Sequence, residues 1–126
     1  ESADSINLEM PKYVAERALS MVDPTNKSPK VLILGVAYKP GVGDVRETPA
    51  SELRNYLISK GAEVSWHDPL VSEWNGSKSV DLDWPCDVAI LATRQPGLDI
   101  NELIAKGTPI LDCTNSFANK TGVNSL

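Results

Sequence analysis

Short apolar runs that end beside turn-forming residues predict four strands in this chain. The clearest run covers residues 31–36 (VLILGV), and a second covers residues 88–92 (VAILA). Strands are also predicted over residues 62–66 and 109–112. Because the two clearest runs are apolar without alternation, they are typical of strands buried on both faces of a parallel sheet.

Apolar positions three and four residues apart predict a helix between the first two strands and another between the last two. Thr48 is expected to cap the first of these helices, with Pro49 at its first position and a glycine stop at Gly61. The second helix is predicted over residues 98–106, with Asp99 as its cap. Strands connected through helices in this way are expected to form a parallel sheet.

An amphipathic helix is also predicted within residues 1–27, before the first strand. Pro11 fits its first turn, and Pro24 fits the position just after its end. Its apolar face consists of Met10, Val14, Ala18, Met21 and Val22. This face needs a partner, which is either the following domain or protein outside the chain.

The remaining segments are expected to be mostly irregular. Residues 70–85 are predicted as a loop with a short element near residues 71–74, and the polar tail from Thr114 is predicted to be irregular. The whole pattern predicts an α/β fold, a three-layer Rossmann-like parallel sheet with helices on both faces, preceded by one N-terminal helix. Ligands of such folds bind beyond the carboxyl ends of the strands, where the strand order reverses.

Composition and charge narrow the function classes. The chain has 126 residues, enough for one core, and begins at Glu1, which indicates either processing or a domain cut from a longer protein. Twelve Lys and Arg against 17 Asp and Glu give a net charge of −5, so a general nucleic-acid or anionic-membrane binder is not expected. Two cysteines cannot form a disulfide framework, and a reduced, cytoplasmic setting is expected.

The loop after the first strand carries the strongest chemical signal. Gly35, Gly41 and Gly43 permit close backbone approach. Lys39 and Arg46 add positive charge just before a predicted helix N-terminus, which brings free N–H groups. This combination favours a phosphate or diphosphate, although its spacing is neither G-x-G-x-x-G nor that of a P-loop. The alternative is a solvated turn in which the two cations pair with the acidic residues of the same loop.

Other candidates allow a ligand role or a structural one. Asp68 follows the second strand, where it could accept a ribose hydroxyl or stabilise the Asp-Pro turn. Arg94 follows the third strand and could reach a ligand or stay at the surface. The lone His67 is expected to be a strand-end residue. Cys86 and Cys113 are expected to be small buried hydrophobes, because nothing adjacent would activate either thiol. Neither a catalytic residue nor a metal site is predicted.

The segment GVAYKPGVGDVRETPA at residues 35–50 resembles a signature of the UDP-glucose/GDP-mannose dehydrogenase family. That signature reads approximately G-x-A-[FY]-K-x-x-x-x-D-x-R-E-[ST]-x-[AS] and opens the family's C-terminal, UDP-binding domain. Residues 61–69 (GAEVSWHDP) resemble the family's next strand, and residues 7–19 resemble the end of its central-domain helix. The resemblance divides the chain into residues 1–27, the end of that helix with a linker, and residues 28–126, the UDP-sugar-binding domain.

The resemblance implies a fragment of an oxidoreductase. Members of this family oxidise C6 of a nucleotide sugar to a carboxylate with two hydride transfers to NAD, through a thiohemiacetal and a thioester on a cysteine. It implies that Tyr38 and Lys39 contact the substrate and that Arg46 reaches NAD, which is bound mainly by another domain. The implied partners are a nucleotide sugar and the N-terminal and central domains of a parent enzyme that is a homodimer in full length. Neither nucleic acid nor membrane is implied.

Two departures separate the chain from the family's complete pattern. The catalytic cysteine and the glycine motif of the NAD domain do not occur in its sequence, so the isolated chain is expected to be inactive. The arginine that the family usually places after the last strand does not occur either, and Thr114 stands near that place. The sugar stays open among UDP-glucose, UDP-N-acetylhexosamine and GDP-mannose, with a lean toward UDP sugars. The alternative function is a stand-alone, non-catalytic ligand-sensing domain.

Overall fold

The computed structural model describes residues 2–37, 41–45, 48–114 and 122–125, of which residues 2–10 and 125 are described by their backbone alone. The elements in chain order are α1 (Ser2–Ser20), β1 (Lys30–Leu34), α2 (Pro49–Ser59), β2 (Glu63–His67), β3 (Glu73–Trp74), β4 (Ser77–Lys78), β5 (Val88–Leu91), α3 (Asn101–Ala105), β6 (Ile110–Asp112) and β7 (Val123–Ser125). Within these residues, no helix combines the length and the apolar content that crossing a bilayer requires.

Five parallel strands form the main sheet, in the order β2-β1-β5-β6-β7. The two clearest apolar runs of the sequence become β1 and β5, which lie side by side and pair Ile33 with Ile90. All four residues of β5 are buried, as expected for a strand covered on both faces. The predicted α/β fold with a parallel sheet is therefore confirmed.

Helices cover both faces of this sheet. Successive residues of a strand point to opposite faces, so β1 and β5 each contribute side chains to both hydrophobic clusters. One face combines Val31, Ile33, Val88 and Ile90 with buried residues of α1 and α2. The other face combines Leu32, Leu34, Ala89 and Leu91 with Leu98, Ile100 and Leu103 in and before α3. The structure thus has three layers, and its two hydrophobic clusters are separated by the sheet itself.

The N-terminal helix α1 packs on the following domain. Val14, Ala15 and Ala18 are buried in the same cluster as α2, and the Tyr56 hydroxyl of α2 donates to the Glu16 carboxylate at 3.1 Å. Of the two partners considered for its apolar face, the domain that follows is therefore the one in contact. The predicted start was wrong, since α1 begins at Ser2 and contains Pro11 in its interior. Proline removes one N–H from a helix but keeps a helical φ, so it does not by itself identify the first turn.

The helix α2 follows its sequence signals closely. The Thr48 hydroxyl oxygen accepts a hydrogen bond from the Ala50 N–H at 3.3 Å, and Pro49 takes the first helical position. Gly61 follows the end of the helix with φ +92, a conformation that side chains disfavour. The predicted cap, first position and stop are therefore confirmed.

Three segments differ from the predicted elements. The tail is not wholly irregular, because β7 pairs in parallel with β6 and places Asn124 opposite Leu111. Because β7 lies at the edge of the sheet, it requires few apolar residues. Its Val123 packs against the hydrophobic cluster on the α3 face. The short element near residues 71–74 is one half of the β3–β4 hairpin. The helix predicted over residues 98–106 is shorter in the structure, where α3 covers Asn101–Ala105. The prediction of Asp99 as its cap was wrong, because the N-cap is Ile100 and the Asp99 carboxylate instead accepts from the Asn101 N–H in an Asx-type turn before the helix.

Candidate functional site

The carboxyl ends of β1 and β5 form the point where the strand order reverses. From β1 the chain passes through α2 to β2 on one side of the sheet, whereas from β5 it passes through α3 to β6 on the other side. The loops that follow β1 and β5 therefore diverge toward opposite faces and leave a crevice between them. In open parallel sheets this crevice is where ligands bind.

Backbone segments approach each other closely at this edge of the sheet. Gly35 has φ +78 and donates from its N–H to the His67 carbonyl oxygen at 2.8 Å. A Cβ on Gly35 would lie 1.9 Å from the Thr93 carbonyl oxygen, and one on Gly43 would lie 2.4 Å from that of Leu70. These two glycines thus serve contacts within the chain itself, rather than the approach of a ligand.

The buried carboxylate of Asp68 holds the first part of the loop after β1. Its Oδ2 accepts from the Val36 N–H at 2.8 Å and, more weakly, from the Ala37 N–H at 3.4 Å. Its Oδ1 accepts from the Leu70 N–H at 2.8 Å, which is the Asp-Pro turn considered from the sequence. Only 1% of Asp68 is exposed, so its carboxylate faces the chain and not a ribose.

Gln95 holds the second part of the same loop. Its Oε1 accepts from the Gly41 N–H at 2.8 Å, and its Nε2 donates to the Val42 carbonyl oxygen at 2.7 Å and to Asp68 Oδ2 at 3.0 Å. Gln95 is 1% exposed. Sequence reasoning considered its neighbour Arg94 and missed Gln95, although its place just after a buried strand put it at the correct edge.

Anion binding by backbone amides at this edge is limited by the chain's own acceptors. Asp68 takes the Val36 and Ala37 N–H groups, and Thr48 takes those of Ala50 through its hydroxyl and Ser51 through its carbonyl. The expectation that free N–H groups of α2 contribute to a phosphate site is therefore not supported. A phosphate here would depend on cationic side chains and on the positive end of the helix dipole.

The three site residues implied by the resemblance, Tyr38, Lys39 and Arg46, lie outside the described residues. Their described neighbours are firmly connected to the domain. Ala37 precedes the first two, and its carbonyl oxygen accepts from the Thr93 hydroxyl at 2.8 Å. Gly41 follows residues 38–40 in the chain, and its N–H donates to Gln95 Oε1. The described residues on either side of 38–40 are thus hydrogen-bonded at the carboxyl edge of the sheet.

Neither cysteine has the properties of an activated nucleophile. Burial raises the pKa of the Cys86 thiol above its ordinary value, against a smaller opposite effect of Lys106. Burial and the Asp112 carboxylate raise the pKa of Cys113 to about 12, with Arg17 acting in the opposite direction. Both side chains pack against the hydrophobic clusters but are half-buried, so the expectation of small buried hydrophobes is met in part.

Two further candidates have structural contacts. The His67 Nδ1 lies 2.7 Å from the Val80 carbonyl oxygen. Because a carbonyl only accepts, Nδ1 carries the proton in this contact, as expected of a strand-end residue. At the end of β6, the buried Asp112 accepts from both the N–H and the hydroxyl of Thr114, at 2.8 and 2.7 Å. In the described part of the chain, no group of three or more His, Cys, Asp or Glu side chains could hold a metal ion.

Comparisons with known proteins agree with this architecture. A sequence profile described as the UDP binding domain of the UDP-glucose/GDP-mannose dehydrogenase family matches residues 32–119. The UDP-N-acetyl-D-mannosamine dehydrogenase of Methanococcus aeolicus is 39% identical over 75 residues, which are 59% of this chain and 17% of that protein. UDP-glucose 6-dehydrogenase 1 of Arabidopsis thaliana is 33% identical over 87 residues, 67% of this chain and 18% of that protein.

A solved structure of a UDP-D-ManNAc dehydrogenase from Pyrococcus horikoshii has the same fold. It superposes with a TM-score of 0.75 at 24% identity, over 99% of this chain and 32% of that one. Fold and crevice together define a Rossmann-like α/β domain with an open edge at the strand-order reversal. The profile match is more specific, and the chain belongs to the UDP-glucose/GDP-mannose dehydrogenase family of oxidoreductases and contains its UDP binding domain. It spans less than a fifth of the length of the two curated relatives.

Proposed function

We propose that this chain is the nucleotide-binding, C-terminal domain of an NAD-dependent UDP-sugar 6-dehydrogenase, which oxidises UDP-glucose or a UDP-N-acetylhexosamine to the uronate. The observation that carries the proposal is the match of residues 32–119 to the family's UDP binding domain. The names of the two curated relatives favour UDP sugars as the substrate class. Under this proposal, residues 1–27 end the central-domain helix and residues 28–126 form the nucleotide-binding domain.

The proposed site residues are those of the loop after β1. Tyr38 and Lys39 contact the nucleotide sugar, with Lys39 as a point charge near the diphosphate. Arg46 contacts NAD, whose main binding domain belongs to another part of the parent enzyme. This assignment is supported by the described amides of Val36 and Ala50, which already donate within the chain, so that cationic side chains gain importance for attracting a phosphate.

Titration calorimetry of the 126-residue chain with UDP and with GDP tests the proposal. We expect UDP to bind and Lys39→Ala to weaken its affinity roughly tenfold to a hundredfold, the effect of losing one hydrogen bond to a charged group. Lys27→Ala is the matched control, because Lys27 is an exposed lysine that precedes β1 at the opposite edge of the sheet. Absence of UDP and GDP binding, or equal losses in the two variants, would contradict the proposal.

The isolated chain is proposed to bind nucleotide without catalysing the oxidation. Its sequence contains no G-x-G-x-x-G motif, and its two thiols have raised pKa values. Sustained production of NADH from UDP-glucose and NAD by this chain would refute the proposed inactivity. In the parent enzyme, homodimer formation would be tested by light scattering and a cytoplasmic location by cell fractionation.

A stand-alone ligand-sensing domain is the second candidate function. The raised pKa values of the two thiols agree with it, and they agree equally with a dehydrogenase fragment that lacks the catalytic cysteine. The two candidates differ in the parent reading frame. An upstream G-x-G-x-x-G motif followed by a cysteine-bearing segment would favour the dehydrogenase, whereas their absence from the full reading frame would favour the sensor.

A further inference from the structure

Two buried polar side chains hold the backbone on both sides of residues 38–40. On the N-terminal side, Asp68 accepts from the Val36 and Ala37 N–H groups. On the C-terminal side, Gln95 accepts from the Gly41 N–H and donates to the Val42 carbonyl oxygen. Asp68 and Gln95 also bond to each other, with 3.0 Å between Gln95 Nε2 and Asp68 Oδ2. The two ends of the segment that contains Lys39 are thereby connected through a single side-chain pair.

This network is complete in its hydrogen bonding. Gln95 uses its carbonyl oxygen once and its amide nitrogen twice, and Asp68 uses both carboxylate oxygens. Among the described residues, no buried side-chain nitrogen or oxygen lacks a hydrogen-bond partner. A buried polar network that is fully paired favours one backbone arrangement, because any other would leave a desolvated group without a partner.

The location of the pair separates it from ordinary core residues. Asp68 follows β2 and Gln95 follows β5, so each comes from a strand that neighbours β1. The loop after β1 is therefore fixed from both neighbouring strands at the strand-order reversal, where ligands of such folds bind. Apolar residues at these two positions could fill the same volume but could not define the position of the backbone amides.

We propose that Asp68 and Gln95 are positioning residues that set the affinity of this domain for a nucleoside diphosphate. They act through the backbone on either side of residues 38–40, and so through the side chain of Lys39. A loop whose ends are fixed before the ligand arrives loses less conformational freedom on binding than a free one. The inference rests on the proposed function, because it assigns Lys39 to the phosphate.

A double-mutant cycle with UDP as the probe tests this inference. Gln95→Glu keeps the acceptor for the Gly41 N–H but places a carboxylate oxygen against two acceptors, Asp68 Oδ2 and the Val42 carbonyl. We expect it to weaken UDP binding about tenfold in the otherwise unchanged chain, and less than about threefold in a Lys39→Ala background. Ile110→Val in β6 is the control, since it lowers stability in the core away from the loop and should leave UDP affinity unchanged.

The outcomes distinguish the inference from the proposed function. If the unchanged chain binds neither UDP nor GDP, the proposed function fails. If it binds UDP and Gln95→Glu binds equally well, or loses the same factor in both backgrounds, only the positioning role fails. Should Gln95→Glu not fold, as judged by circular dichroism, Gln95→Met removes the same donor without adding charge and takes its place in the cycle.

Amide exchange gives a measurement that needs no nucleotide. The Gly41 N–H donates to Gln95, so its hydrogen exchange followed by NMR should be slow in the unchanged chain and faster by about tenfold in Gln95→Met. Ile110→Val should leave the Gly41 rate close to that of the unchanged chain. Fast exchange of Gly41 in the unchanged chain would overturn the positioning role, whatever the result with UDP.

Discussion

Replacement of Gly35 by alanine tests how closely the ends of β1 and β5 approach each other. A Cβ at this position would lie 1.9 Å from the Thr93 carbonyl oxygen, whereas real Cβ atoms essentially never approach a neighbour within 3.0 Å. The neighbour is backbone, so no side-chain rotation relieves the contact. Relief requires the loops after β1 and β5 to separate, which strains the hydrogen bond from the Thr93 hydroxyl to the Ala37 carbonyl oxygen.

The expected loss of stability has two parts. The positive φ of +78 at Gly35 costs an alanine about 1–2 kcal/mol. Overpacking of a close backbone contact adds about 1–3 kcal/mol. The free energy of unfolding should thus fall by about 2–5 kcal/mol, out of the roughly 5–15 kcal/mol typical of a domain. At about 4 °C per kcal/mol for a chain of this size, Tm should fall by about 8–20 °C.

Gly76→Ala separates the two parts. Gly76 has nearly the same φ, +76, but a Cβ there would meet no atom within 4 Å. This control should lose only the conformational cost, about 1–2 kcal/mol. Urea unfolding followed by tryptophan fluorescence, with thermal unfolding by circular dichroism, would measure both variants. If Gly35→Ala is destabilised no more than Gly76→Ala, the steric argument for the close approach is wrong.

Further substitutions test the cap of α2 and the half-buried thiol of Cys113. Thr48→Ala removes the hydroxyl that accepts from the Ala50 N–H and should cost about 1 kcal/mol in urea unfolding, whereas Thr48→Ser keeps the acceptor and should cost less than half as much. Burial raises the pKa of Cys113 to about 12, whereas the thiol of an unfolded chain has a pKa of about 8.5. The unfolded state therefore loses its proton first, and the contribution of this thiol to stability is lost as the pH rises from about 8.5 toward 12. Stability of Cys113→Ala should fall less steeply over this range than that of the unchanged chain, and parallel curves would refute the assignment.

Most of the fold followed from local patterns in the sequence. The apolar runs that became β1 and β5 and the signals around α2 were recognisable because each depends on residues close together in the chain. The beginning of α1 and the strand β7 were not. Pro11 predicts a helix start, although proline is tolerated inside this helix, and β7 depends on pairing with β6 rather than on its own apolar content.

The candidate site was predicted in part. The glycine-bearing loop and the turn at Asp68 could be found because they follow apolar strands. Lys39 stays a prediction, based on its charge in that loop and on the family signature. Gln95 was missed, since an isolated glutamine carries no pattern that marks it as buried. The expected amide donors of α2 were also wrong in part, because Thr48 accepts hydrogen bonds from two of them.

The class of fold, the family and the loop proposed to bind phosphate could all be predicted from the sequence alone. These depend on periodicity, turn chemistry and a contiguous signature, all of which are local along the chain. Which polar side chains hold that loop depends on the three-dimensional arrangement of the strands. Gln95 bonds to Gly41, 54 positions earlier in the chain, and Asp68 bonds to Val36 across 32 positions. Such pairs become neighbours only because parallel strands bring their carboxyl ends to the same edge of the sheet.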